Sequence, residues 1–326
     1  MRNEIKLIRF SAIILLCILQ ISGCNDDSPT EPDPLVEIEE SFIPWDSLSG
    51  KITYTYQSSD SLDSYLCVID TDTRSLEILA KHQGLSFNHL SLCPIDDIVT
   101  YAKTNLSTSI SHLYSIDISN GAETHLNSQL TYVNYDFPAW SDQYMMAYLV
   151  NGTLNNITYY RTVFVNNQPF YQDTNTTPTR PAWKPGGDFL VVSTEGNDQV
   201  KKLVAVDIED STTEIILTDR CMDLRDPVYS PDGSKIAYAR LPILPNNPGQ
   251  TEIWIINNDG SDRMRLTSEA ADSWPTWSPD GNSIIFVRSV FTISNEYEPR
   301  LFLVNIDGTG LTQITSQNGN YPSWTD

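Results

Sequence analysis

Basic residues, histidines and cysteines are all scarce in this chain of 326 residues: 20 Lys+Arg stand against 42 Asp+Glu, with 4 His and 5 Cys. The resulting net charge of −22 repels a polyphosphate and excludes nucleic acid as a natural partner. So few His and Cys leave little material for a multi-metal site or a disulfide framework. Catalytic signatures are missing as well. No Gly-x-Ser-x-Gly elbow, His-Glu-x-x-His, Cys-x-x-Cys or phosphate-cradling glycine loop occurs, so no catalytic residue, metal ligand or cofactor is assigned. Nor is there an apolar run long enough to span a bilayer. Phe10 to Ile21 is an apolar stretch of twelve, whereas a spanning helix takes about 20 residues. What remains is 40% hydrophobic and 10% aromatic, too apolar for a disordered acidic chain.

That short stretch follows Arg2, Lys6 and Arg9, a basic leader of the kind that opens a secretory signal peptide. Ile21-Ser22-Gly23-Cys24 comes next and resembles the bacterial lipobox, whose cysteine is acylated and becomes the mature N-terminus. The resemblance implies a signal peptide over 1–23, lipidation at Cys24, and a protein anchored to a membrane without crossing it. Asn25-Asp26-Asp27 looks like a lipoprotein sorting signal. The expected address is the envelope of a Gram-negative bacterium, at the outer membrane (periplasmic or surface side) in preference to the inner one. Residues 24–41, with Pro29, Pro32 and Pro34 among acids, read as a flexible tether.

Residues 42–326 repeat. Asp226-Pro-Val-Tyr-Ser-Pro-Asp-Gly-Ser-Lys-Ile-Ala-Tyr-Ala-Arg240 matches Trp274-Pro-Thr-Trp-Ser-Pro-Asp-Gly-Asn-Ser-Ile-Ile-Phe-Val-Arg288 almost position by position. A large apolar marker recurs at Trp45, Leu92, Trp140, Trp183, Tyr229, Trp277 and Trp324, at intervals of 43 to 48 residues. Short strands joined by Asp-Gly turns at that period indicate a propeller. In the last full unit the strands read as a inner strand ending at Trp277, then Ile284–Val287, Leu301–Ile306 and Leu311–Ile314. Hairpin turns account for Asp259-Gly260 and Asp307-Gly308 without calcium.

Seven inner-strand candidates serve six sets of the other three strands. The expectation is therefore an all-β, six-bladed propeller of four-stranded antiparallel blades, closed in a circle. Tyr321–Trp324 is expected to supply the inner strand of the closing blade, with 42–45 partly displaced; the reverse assignment is the alternative.

Trp-Ser-Pro-Asp-Gly followed by Ile and a later Leu-Thr resembles the TolB-type propeller repeat, over residues 45–326. The resemblance implies a lipoprotein with a TolB-like propeller, lacking the additional N-terminal domain of TolB itself. It also implies a partner that is an envelope protein or a peptide segment held at the channel mouth, by a protein expected to be monomeric.

Two positions before the marker stands Pro in five of seven units, which is scaffold. Three before it stand Phe42, His89, Phe137, Arg180, Asp226, Trp274 and Tyr321, which differ from unit to unit. If these begin the innermost strands, they ring one mouth of the channel, beneath the long segments Leu241–Gln250 and Ser289–Pro299. Such a ring serves as a recognition surface, or it plugs the channel. Three functions follow: a binding or scaffold module, a glycan-binding or sugar-lyase-like propeller whose His82, His89 and His112 approach one another, or a passive structural protein.

Overall fold

The computed structural model describes residues 43–58, 62–127, 133–154, 157–172, 176–196, 200–242, 250–268, 270–292 and 295–326. The leader, Cys24, the tether and Phe42 lie outside the described residues. So does most of the Leu241–Gln250 segment.

Six sheets form the blades. In blade 2 the order from the axis outward is β4 (Leu85–Leu92), β5 (Ile98–Asn105), β6 (Ser111–Asp117) and β7 (Glu123–His125). Blade 3 holds β8 (Val133–Trp140), β9 (Met146–Leu154), β10 (Ile157–Val165) and β11 (Gln168–Tyr171). Blade 4 has an inner strand in two pieces, β12 (Thr176–Pro178) and β13 (Ala182–Trp183), both paired to β14 (Phe189–Gly196). Its outer strands are β15 (Lys201–Asp207) and β16 (Thr213–Asp219). Blade 5 is β17 (Met222–Tyr229), β18 (Lys235–Pro242), β19 (Glu252–Asn257) and β20 (Met264–Arg265). Blade 6 is β21 (Ala271–Trp277), β22 (Ser283–Phe291), β23 (Tyr297–Asn305) and β24 (Thr312–Gln313).

Blade 1 closes the ring. The C-terminal strand β25 (Asn320–Thr325) is its inner strand, paired antiparallel to β1 (Lys51–Gln57), which continues to β2 (Asp63–Asp70) and β3 (Ser75–Gln83). Of the two ways to close the circle, the C-terminal one holds. Ile43 is buried against the core between blades 1 and 6, and Trp45–Ser47 turns as a single 3-10 segment. The Trp324 indole donates to Ser49 O at 2.6 Å. Gly50, at φ 72°, lies so close to the Thr325 backbone that a side chain would collide with it.

Marker residues pack between blades. Trp277 is 4% exposed among Ala237, Ile255 and Phe286, and its indole donates to Val228 O in blade 5 at 3.1 Å. Trp183 repeats the bond, donating to Ala139 O of blade 3 at 2.9 Å. Between markers and second strands, Ser-Pro-Asp-Gly makes a compact turn. Asp280 accepts from the Ser278 hydroxyl (2.6 Å) and the Asn282 N–H (3.0 Å), while Gly281 takes φ 72°. Those bonds favour the ionised carboxylate and hold Asp280 below its ordinary pKa, as they do Asp232 in blade 5. In blade 2, Cys93 stands where this serine would be and is buried.

The hairpin of blade 6 differs from expectation. Much of Ser289–Pro299, read from sequence as a connecting segment, is strand: β22 and β23 remain paired through Ser289↔Pro299, Val290↔Glu298 and Phe291↔Tyr297. A partly polar pattern hid these ends, because strands that rise beyond their neighbours need no buried face.

Candidate functional site

Every inner strand carries one extra residue relative to its partner. Pairing jumps from Asn88 to Ser91, Asp136 to Ala139, Arg225 to Val228 and Ser273 to Thr276, with the same slip in β25 and across the gap between β12 and β13. This is a β-bulge, which unpairs two residues and re-aims a side chain. The second unpaired residue is Pro in five blades, which costs nothing where no N–H is wanted. The first adopts a left-handed backbone: His89 at φ 52°, Phe137 at 53°, Asp226 at 51°, Trp274 at 55° and Tyr321 at 52°. For a residue with a Cβ that conformation costs about 1–2 kcal/mol, so five such residues need firm packing to hold them.

They find it in one another. His89 stacks on Phe137 with ring centroids 3.8 Å apart and meets Tyr321 edge-on at 4.8 Å. Trp274 meets Tyr321 edge-on at 4.7 Å and lies parallel to Phe137 at 6.1 Å. The His89 Nδ1 pairs with the Asp136 carboxylate. The Trp274 backbone N–H donates to Asp226 Oδ2 at 3.4 Å. Burial raises the Asp226 pKa, against the lowering influence of Arg180. Burial also pushes the Tyr321 hydroxyl up to about 12, with Asp136 and Asp226 adding to it.

The six described ring residues thus converge, but deeper than expected. They sit within the inner strands, because those strands extend several residues further toward their N-termini than the repeat motif suggests. Their rings form a septum across the channel.

The septum separates two cavities. One, of about 510 Å³, opens on the side of the β9–β10 and β22–β23 hairpins and has Phe137, Asp226 and Trp274 in its lining. Its wall over blades 4 and 5 is an ion ladder: Glu195 pairs with Lys201, Lys201 Nζ lies 3.6 Å from Asp223, and Arg225 Nε donates to Asp223 Oδ2 at 2.5 Å. Arg225 is exposed, and among the described residues only Asp223 takes one of its donors. Arg161, at φ 47° in a bulge of β10, donates from Nε to Pro178 O at 3.1 Å and completes the basic side.

The two hairpins, with nine residues in each arm, belong to blades on opposite sides of this opening. Their outer ends bear Tyr160 (69% exposed) and Tyr297 (73% exposed), the latter 5.0 Å from the Phe291 ring. Nothing in the repeat pattern marked Arg161, Lys201, Asp223 or Arg225 as members of one wall. The only sequence signal was departure from the motif.

The second cavity, about 320 Å³, opens at the other end and is bordered by Pro138, Trp140, Pro181, Trp183, Trp277 and Trp324. Arg180, grouped from sequence with the opposite mouth, borders this one instead. Blade 4 lacks the left-handed bulge residue, and its inner strand breaks around Arg180.

The histidines disperse. His89 is in the septum. His82 is on β3, 3.5 Å from Glu123 of blade 2, whose carboxylate also takes the buried Lys103 at 2.7 Å. His112 and His125 contact each other within blade 2, with centroids 5.3 Å apart, and burial lowers the His112 pKa. Among the described residues no three His, Cys, Asp or Glu gather as metal ligands. Cys67 is core, as expected; Cys93 and Cys221 are unpaired.

No protein-family model and no curated protein matches the chain. Solved structures do. TolB from Acinetobacter baumannii superposes with a TM-score of 0.67 at 15% identity, covering 84% of this chain and 66% of that one, just under two thirds. The TolB-like protein of Agrobacterium tumefaciens gives 0.59 at 17% identity, covering 85% and 94%. An oligogalacturonate lyase in complex with manganese gives 0.52 at 14%, covering 84% and 77%. At these identities the likeness is one of fold: a TolB-like six-bladed propeller.

Proposed function

We propose that this is a lipid-anchored envelope protein of a Gram-negative bacterium, tethered through Cys24, whose propeller binds a protein or peptide segment at the charged end of its channel or serves as a scaffold there. One observation carries the reading: the cavity of about 510 Å³ sets the exposed guanidinium of Arg225 beside the acids Glu195 and Asp223, above the aromatic septum. An extended peptide presents N–H and C=O groups in alternation. A wall of alternating charge offers acceptors and donors to both, and exposed Tyr160 and Tyr297 add apolar anchors at the rim. The TolB-like fold supports the same reading. No reaction is assigned to the site.

Trp274 and Tyr321 are poor choices for a binding test, since removing both hollows the septum. Rim positions are better. Residues 25–326 immobilised beside an Arg225→Ala/Tyr297→Ala version should each be offered solubilised envelope. A protein captured by the first and lost by the second, and displaced by a peptide derived from it, supports the proposal. Equal capture by both baits overturns it. The exposed Phe291–Tyr297 pair is also a surface on which a sugar ring stacks, so capture of oligosaccharide alone assigns this end to glycan instead.

A further inference from the structure

Arg180 is a half-buried cation without a counterpart, its Nη1 enclosed. Its guanidinium has five N–H donors. Among the described residues it donates no hydrogen bond and forms no ion pair, and its Nη1 is closed off from solvent with no acceptor. Its neighbours are the Trp274 ring, 5.5 Å away, and the Asp226 carboxylate, which acts on it only at a distance beyond direct pairing. An enclosed charged donor left unpaired is costly, and folded proteins supply an acceptor where they enclose one. Asp226 is not that acceptor: it lies beyond ion-pair distance of the guanidinium and borders the opposite cavity.

We propose that Arg180 receives a carboxylate that enters the channel from the proline- and tryptophan-lined end. This site lies across the septum from the one under Proposed function and does not depend on it. Three features define the ligand. Arg180 alone of the six described septum positions borders this cavity, so its charge is the one the septum offers to an entering group. The planar fork suits a carboxylate held by two parallel bonds. The walls set the rings of Pro138, Pro181, Trp183 and Trp277 beside the hydroxyls of Ser91, Ser141, Ser230 and Ser323, which are already hydrogen-bonded within the protein, so the body behind the carboxylate meets chiefly rings.

At the rim, Asp142 and Asp326 stand against Lys184. With a net charge of −22 on the chain, this disfavours ligands carrying several negative charges. The chemistry is therefore a monocarboxylate on an apolar body: a peptide C-terminus ending in apolar residues, or a small apolar acid.

Calorimetric titration of the whole protein with N-acetyl-prolyl-leucine, with its C-terminal amide, with acetate and with inorganic phosphate tests this. The free acid should bind saturably, and the amide about tenfold more weakly or worse, because loss of a buried charged partner is worth at least that factor. Arg180→Gln should lose the acid by the same factor. Arg180→Lys keeps the charge but not the fork, and should bind the acid more weakly while still preferring it to the amide.

Equal affinity for acetate and the dipeptide supports the site and assigns it to small acids. Tighter binding of the dipeptide supports it and assigns it to a chain end. Acid and amide binding alike to the wild type or to folded Arg180→Lys overturns the proposal. So does an unaffected Arg180→Gln, no saturable binding of the acid, or phosphate binding as tightly as the acid. If Arg180→Gln fails to fold, the Lys variant and the acid–amide comparison still decide.

Discussion

The two ends of the channel are made from different parts of the repeat. One end is built from the motif itself: prolines two residues before each marker, the marker tryptophans, and the Ser-Pro-Asp-Gly turns. The other is built from residues that no unit shares: Arg161, Glu195, Lys201, Asp223 and Arg225. The motif end is where stability is concentrated, because its side chains reach into the neighbouring blade. The variable end is where composition was free to change, since its charged side chains face the opening. A repeat protein of this kind separates holding from recognising along its own axis.

The sharpest way to break that comparison is to truncate one aromatic at each end. Trp277→Ala should lose about 3–5 kcal/mol, from a large cavity and the bond to Val228 O, as read by the urea midpoint. Tyr297→Ala, at an exposed tip, should stay within about 0.5 kcal/mol. Equal losses would mean that the two ends share the load.

The charged side has one exception. Asp272 is fully buried and held by Arg288 through two bonds of 2.7 Å, with the guanidinium over Phe286 and Phe302. Arg288→Ala should cost about 3 kcal/mol or more by leaving an uncompensated buried carboxylate. A neutral result would show that water reaches Asp272.

The smallest effect concerns acid. Turn aspartates such as Asp232 and Asp280 have depressed pKa values, so their contribution is present above the ordinary carboxylate range and is lost as pH falls through their folded values. Asp226 is raised, so its sign is opposite: its contribution is complete below the unfolded carboxylate pKa and is lost as pH rises through the folded one. Asp226→Asn should therefore gain on the wild type at pH 7 and lose that advantage as pH falls toward about 4. Urea midpoints across that window check it, and an advantage independent of pH would remove Asp226 from the account.

The architecture was legible because Trp-Ser-Pro-Asp-Gly fixes both a turn and a packing residue in each unit, and because seven markers for six blades imply circular closure. The positions three before the markers were legible as a set, since variation against an invariant frame singles them out. Their depth was not, because the Pro beside each reads equally as the first residue of a strand or as a bulge within it. Nor could the side of Arg180 be read, since that depends on a break in one inner strand. The ion ladder was hidden for a different reason: its members come from three strands, and the last step exists only after blades 4 and 5 stand side by side.

Closure by β25 also sets a schedule. The edge of β1 receives its partner only once Asn320–Thr325 are made. At about 5–20 residues per second, that interval is on the order of tens of seconds after β1 emerges. For that time a strand with Ile52 and Tyr54 at its centre presents an open row of backbone donors and acceptors, ready to pair with any strand nearby. Asn320–Thr325 therefore decides when the newborn protein stops being adhesive.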